Sequence, residues 1–118
     1  MKKFIFKKTK IKDLYLIKPK IFKDYRGEFF RYFCSDEYKG IVFKNKILQT
    51  NICTNKKRGT LRGLHYQKKP YEETKIVTCV SGEIYDVAVD LRKNSKTFMK
   101  YFGTKLSKKN KLILYIPK

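Results

Sequence analysis

Tryptophan is absent, histidine occurs once, and ten acidic residues stand against thirty Lys and Arg. A single histidine excludes the multi-histidine metal centres, because a tight transition-metal site needs three or four N, O or S ligands. Cys34, Cys53 and Cys79 contain no CxxC pair and form an odd set. A zinc ribbon, a thioredoxin-like motif and a disulfide framework are therefore excluded, and a reducing cytoplasmic setting is expected. The opening Met1–Lys8 is charged like the start of a signal peptide, but its apolar run is only Phe4-Ile5-Phe6, far short of the roughly 7–15 residues an h-region needs. No apolar stretch approaches a membrane span. A soluble protein without a membrane partner is expected.

What is present is charge and aromatic surface. The formal charge is +20, with Lys far in excess of Arg. The basic residues are spread along the chain and form no tail. Lys, Asn, Ile, Phe and Tyr are all plentiful, as compositional bias alone would produce. Attraction to an anion, either a nucleic acid or a small phosphorylated ligand, is the functional reading of the same charge. The nine Tyr and nine Phe fall mostly at core spacings, so a nucleic-acid partner is not expected.

The length of 118 residues bounds the chain to one domain, 1–118. Apolar residues recur with period two in short runs. Strands are expected at 14–17, 28–34, 47–53, 60–67, 74–80, 83–91, 98–106 and from 112 to 116. A short helix over 35–39 is expected to take Ser35 as its cap and to pack Tyr38 inward. Asp24–Gly27, Asn55–Gly59, Ser81-Gly82, Arg92–Lys96 and Lys108–Lys111 read as turns. In the run 83–91, Ile84, Asp86, Ala88 and Asp90 share one face. Many short strands with regular turns indicate an all-β, antiparallel sandwich or barrel.

His65 lies in Arg62-Gly63-Leu64-His65-Tyr66-Gln67. A lone histidine is usually without a role, but its neighbours are chemically apt. His65, Arg62, Lys75, Gln49 and Asn51 together supply a base, two cations and two neutral hydrogen-bonding groups. Strict alternation places Arg62 and His65 on opposite faces, and a bulge at Gly63 would bring them together. Gln67 stands two residues beyond His65, and Glu72 and Glu73 are the nearby carboxylates. That set is too poor for a catalytic metal, so neither a metal nor another cofactor is expected.

The hexamer Arg62–Gln67 resembles the signature of the dTDP-4-dehydrorhamnose 3,5-epimerase family. So do Lys18–Gly27, Gln49-Thr50-Asn51, Lys75-Ile76-Val77, Gly82–Arg92, Ser95–Phe98, Leu106-Ser107 and Ile116-Pro117, in that order along the chain. The resemblance implies a cupin, or jelly-roll, antiparallel β-sandwich. It implies an isomerase that epimerises C3 and C5 of a dTDP-4-keto-6-deoxy sugar in dTDP-rhamnose-type and lipopolysaccharide biosynthesis. By the same resemblance His65 is the base and Lys75 stabilises the enolate. Arg62 binds the diphosphate, Gln49, Thr50 and Asn51 line the nucleotide and sugar pocket, and Arg26 reaches in from the neighbouring subunit of a homodimer. Asp86, whose position the resemblance covers, is expected to take a structural role, with support of Lys75 or another inward cation as the alternative. Arg31 stands where the family usually has a glutamate near the nucleotide base, which implies altered base recognition. Family members continue past Ile116-Pro117 with strands bearing a tyrosine acid and an aspartate that orients the base. The fold is therefore expected to be incomplete at its C-terminus. Tyr66, Tyr71 and Tyr85 do not occupy the acid's position. The alternative is a noncatalytic remnant or sugar-nucleotide-binding protein.

Overall fold

The computed structural model describes residues 2–41 and 46–118. Its elements are β1 (Phe4–Lys8), β2 (Tyr15–Pro19), β3 (Ile21–Asp24), β4 (Gly27–Phe30), α1 (Ser35–Tyr38), β5 (Lys75–Thr78), β6 (Glu83–Val89), β7 (Tyr101–Ser107) and β8 (Ile113–Ile116). All strand pairs are antiparallel. One sheet runs β1-β2-β8-β5, and β3–β4 and β6–β7 form separate two-stranded hairpins.

The central position of β8 follows from its residues. Ile113, Leu114 and Tyr115 are all buried, so both faces of the strand are covered. Ile113 and Tyr115 join Phe4, Ile17, Tyr38 and Ile41 on one side. Leu114 joins Ile11, Leu14, Cys79, Ala88 and Leu106 on the other. Each fully buried Leu or Ile contributes about 1.5–3 kcal/mol. The β6–β7 hairpin supplies the second layer by turning the face of Ile84, Asp86 and Ala88 inward, and the outward Tyr85 ring lies over Gly103.

Helix α1 is anchored in the core by one side chain. Tyr38 is fully buried and meets Phe4, Phe6 and Phe33 with ring centroids 4.8–5.3 Å apart. Its hydroxyl donates to the Tyr32 carbonyl at 3.1 Å. The expected cap differs: Cys34, extended at φ −151°, is the N-cap, and Ser35 is the first helical residue. No cap side-chain hydrogen bond forms, and burial of Tyr38 substitutes for it.

Several boundaries differ from the sequence expectation. β1 was not expected. Its lysines hide the alternation, and its ladder with β2, from Phe4 opposite Pro19 to Lys8 opposite Tyr15, is a tertiary fact. β3 was likewise hidden by Lys23 and Asp24. β7 begins at Tyr101 and not at Phe98, because Met99 takes φ 64° and its amide donates back to the Asp90 carbonyl. The strands expected at 47–53 and 60–67 are not formed. Residues 46–74 contain no strand, and every residue from 46 to 71 is exposed. An alternating pattern becomes a strand only when a neighbour supplies the hydrogen-bond ladder, and none of the described strands pairs with this segment.

The accessible surface is 9811 Å², against about 6,800 Å² for a compact monomer of this mass. Among the described residues no helix is long and apolar enough to cross a membrane.

Candidate functional site

Lys75 is the first residue of β5, where the exposed excursion re-enters the sheet, and it is half-buried. Asp86 lies mid-way along β6, on its inward face. Burial pushes the Asp86 carboxyl above its ordinary value, while the Val87 amide and the Lys75 charge pull the other way. The charge of the half-buried Lys75 ammonium is therefore felt at the half-buried Asp86 carboxyl, without an ion pair between them among the described residues. Such an ammonium can stabilise a developing oxyanion.

The remaining candidates lie on the excursion. Gln49 Nε2 donates to Glu73 Oε1 at 3.3 Å, which ties the Gln49–Asn51 segment to the stretch just before Lys75. Thr50 and Asn51 are exposed beside it. Arg62 Nε donates to Asn55 Oδ1 at 2.7 Å. Gly63 has φ +91°, and a Cβ placed on it would lie 2.8 Å from His65 Nδ1. The imidazole thus folds back over Gly63, and the left-handed residue breaks the alternation that separates Arg62 from His65. Among the described residues no hydrogen bond reaches the His65 ring.

Two arginines are placed elsewhere. Arg26, in the β3–β4 turn, pairs with Asp24 at 2.6 Å, and its contacts stay within its own hairpin. A surface depression of about 470 Å³ runs along that hairpin, lined by Phe22, Arg26 and Phe29 among others. Arg31 pairs with Glu37 at 3.4 Å, whose other oxygen accepts the Lys3 amide at 2.8 Å. It acts there as a tie between α1, β4 and the start of the chain. Among the described residues no group of three or more His, Cys, Asp or Glu is placed to hold a metal ion.

Sequence reasoning did not identify Glu73 and Asn55 as partners of Gln49 and Arg62. The first bond spans 24 residues and the second closes a 7-residue irregular loop, so neither pairing belongs to a helix or strand that a periodic pattern could reveal.

The family model for dTDP-4-dehydrorhamnose 3,5-epimerase matches residues 8–118. A dTDP-4-dehydrorhamnose 3,5-epimerase of Shigella flexneri is 44% identical over 110 residues, covering 93% of this chain and 61% of its own length. The crystal structure of the Elizabethkingia anophelis epimerase superposes with a TM-score of 0.92 at 40% identity, covering 99% of this chain and 64% of its own. A dTDP-6-deoxy-D-glucose-3,5-epimerase of Legionella pneumophila, solved in complex with dTDP-4-keto-L-rhamnose, gives a TM-score of 0.91 at 39% identity, covering 98% of this chain and 61% of its own. The chain thus spans about three-fifths of the length of the relatives it matches. The overlay takes in nearly every residue, the exposed excursion included, so the all-β antiparallel arrangement is that of the solved epimerases. A match running from residue 8 to 118, together with this overlay, makes the chain a member of the dTDP-4-dehydrorhamnose 3,5-epimerase family.

Proposed function

We propose that this chain carries the base, enolate-stabilising and diphosphate-binding parts of a site that epimerises C3 and C5 of a dTDP-4-keto-6-deoxy sugar. The observation that carries this reading is the half-buried Lys75 at the start of β5, where the exposed excursion re-enters the sheet. A half-buried cation next to the excursion that bears the one histidine suits the stabilisation of developing negative charge. The substrate class is that of the Legionella relative's ligand.

The chemistry follows from the ketone at C4. His65 removes the proton from C5 or C3, the C–H electron pair moves into the ring, and the C4 oxygen becomes an enolate. The Lys75 ammonium stabilises that oxygen, and Asp86 takes a supporting place on the inward face of β6. Proton return on the opposite face by an acid inverts the carbon. Arg62 presents a forked guanidinium to the diphosphate. Gln49, Thr50 and Asn51 line the nucleotide and sugar, and Arg26 serves the site of a neighbouring subunit in a homodimer. The setting is the cytoplasm.

The test is proton NMR of dTDP-4-keto-6-deoxyglucose in deuterated water with the 118-residue chain, beside His65→Ala. Exchange at C3 or C5 that disappears in the variant is expected. No exchange above the variant, from a folded sample, overturns turnover by this chain. The second reading, binding of the sugar nucleotide without turnover, is favoured by the His65 ring having no hydrogen-bond partner among the described residues. It corresponds to dTDP binding without exchange.

A further inference from the structure

The chain has five arginines. Arg26, Arg31 and Arg92 each pair with a carboxylate, of Asp24, Glu37 and Asp90 respectively. Arg62 is different. Its Nε–H donates to the neutral amide oxygen of Asn55 at 2.7 Å. That bond consumes one of the five guanidinium donors and leaves the four Nη protons. An amide acceptor cancels none of the cation's charge, whereas a carboxylate would. The Asn55 oxygen also receives the Cys53 thiol at 3.9 Å, and the intervening loop is closed by Thr60 Oγ1 donating to the Lys57 carbonyl at 2.7 Å. The bond therefore spans a braced loop and holds an exposed side chain that would otherwise sample many rotamers.

We infer that Asn55 is a positioning residue: it locks the Arg62 guanidinium with its charge uncompensated and its Nη edge open, for the diphosphate of the nucleotide. This rests on the proposed function, in which Arg62 meets that diphosphate. Holding the fork in place removes rotamer entropy that binding would otherwise lose.

The experiment is titration of the full chain with dTDP and, separately, with thymidine, which lacks the diphosphate. Asn55→Ala is expected to weaken dTDP about five- to tenfold and to leave thymidine unchanged. In an Arg62→Ala background it is expected to cause no further loss. Asn55→Asp keeps an acceptor but adds a carboxylate that competes with the ligand, so dTDP weakens by about tenfold or more. A merely structural tie would survive or tighten in the aspartate variant. Wild-type dTDP affinity in Asn55→Asp, or loss of dTDP in Arg62→Ala but not in a folded Asn55→Ala, overturns the inference and leaves the proposed function standing. Absence of dTDP binding by the wild-type chain overturns both.

Discussion

Gly63 is where one residue decides the geometry of the candidate site. Its φ of +91° lies in the left-handed region, and His65 Nδ1 occupies the space a Cβ would need. Gly63→Ala is therefore expected to cost about 1–2 kcal/mol from the backbone and to displace the imidazole. The His65 ring C–H resonances should shift in proton NMR, and exchange at C3 or C5 should fall more than about tenfold. Unmoved ring resonances in a folded variant would contradict this placement. The sequence made His65, Arg62 and Lys75 conspicuous as a chemical set, and it marked Gly63 as a bulge candidate through its missing side chain. It carried no sign of Asn55 or Glu73 as their partners, because a hydrogen bond across an irregular loop leaves no periodic trace.

At the scale of elements, Asp90 closes the β6–β7 connection. It is buried, and its Oδ2 accepts from Ser95 Oγ and Thr97 Oγ1, both at 2.6 Å, and from Arg92 Nη2 at 3.0 Å. Arg92 continues to Asp13 at 3.3 Å and to the Lys12 carbonyl, which binds this connection to the β1–β2 turn. Burial opposes ionisation of Asp90, but the hydrogen bonds from Arg92, Ser95 and Thr97 outweigh it and hold the carboxyl well below the usual carboxylate range. At the other hairpin, Lys111 and Lys23 bring Glu28 down to about 2. Both carboxylates have a folded pKa below the unfolded one. Their stabilisation is therefore complete above about pH 5, and it is lost as pH falls from their ordinary values, 4.5 and 3.8, toward the folded ones. Asp90→Asn is expected to cost about 2–4 kcal/mol at pH 7 and to flatten the decline in stability between about pH 4 and 2. Urea melts at pH 7, 4 and 3 measure it, and an unchanged acid slope would remove Asp90 from the account. Sequence alternation put Asp90 on one face with Ile84, Asp86 and Ala88, and the fold turns that face inward. Why a carboxylate is tolerated there became visible only when the polar turn folded over it.

For the whole molecule, the decisive feature is surface. The chain exposes about 3,000 Å² more than a compact protein of its mass. Large apolar side chains contribute to it, with Leu48, Ile52 and Leu61 each at least 88% exposed on the excursion. Exposed large apolar side chains of this kind suit a contact surface, and an interface of standard size buries about 1,600 Å² in total. Self-association is therefore expected, opposed by a charge of +20 on each copy. Sedimentation equilibrium should show association strengthening between about 50 and 500 mM salt as the repulsion is screened. A monomer at every salt concentration and at tens of micromolar protein would overturn the proposed homodimer.

Sequence alone determined the antiparallel all-β class, the division of β6 into two faces, the burial of Tyr38 and the family, since these depend on periodicity, residue type and ordered motifs along the chain. Tertiary structure alone decided that β1 is a strand, that 47–53 and 60–67 are not, that Arg31 binds Glu37, and that Arg62 is held by a neutral partner. Each of these depends on a hydrogen-bond or ion-pair partner elsewhere in the chain, and no local pattern records which segment will supply it.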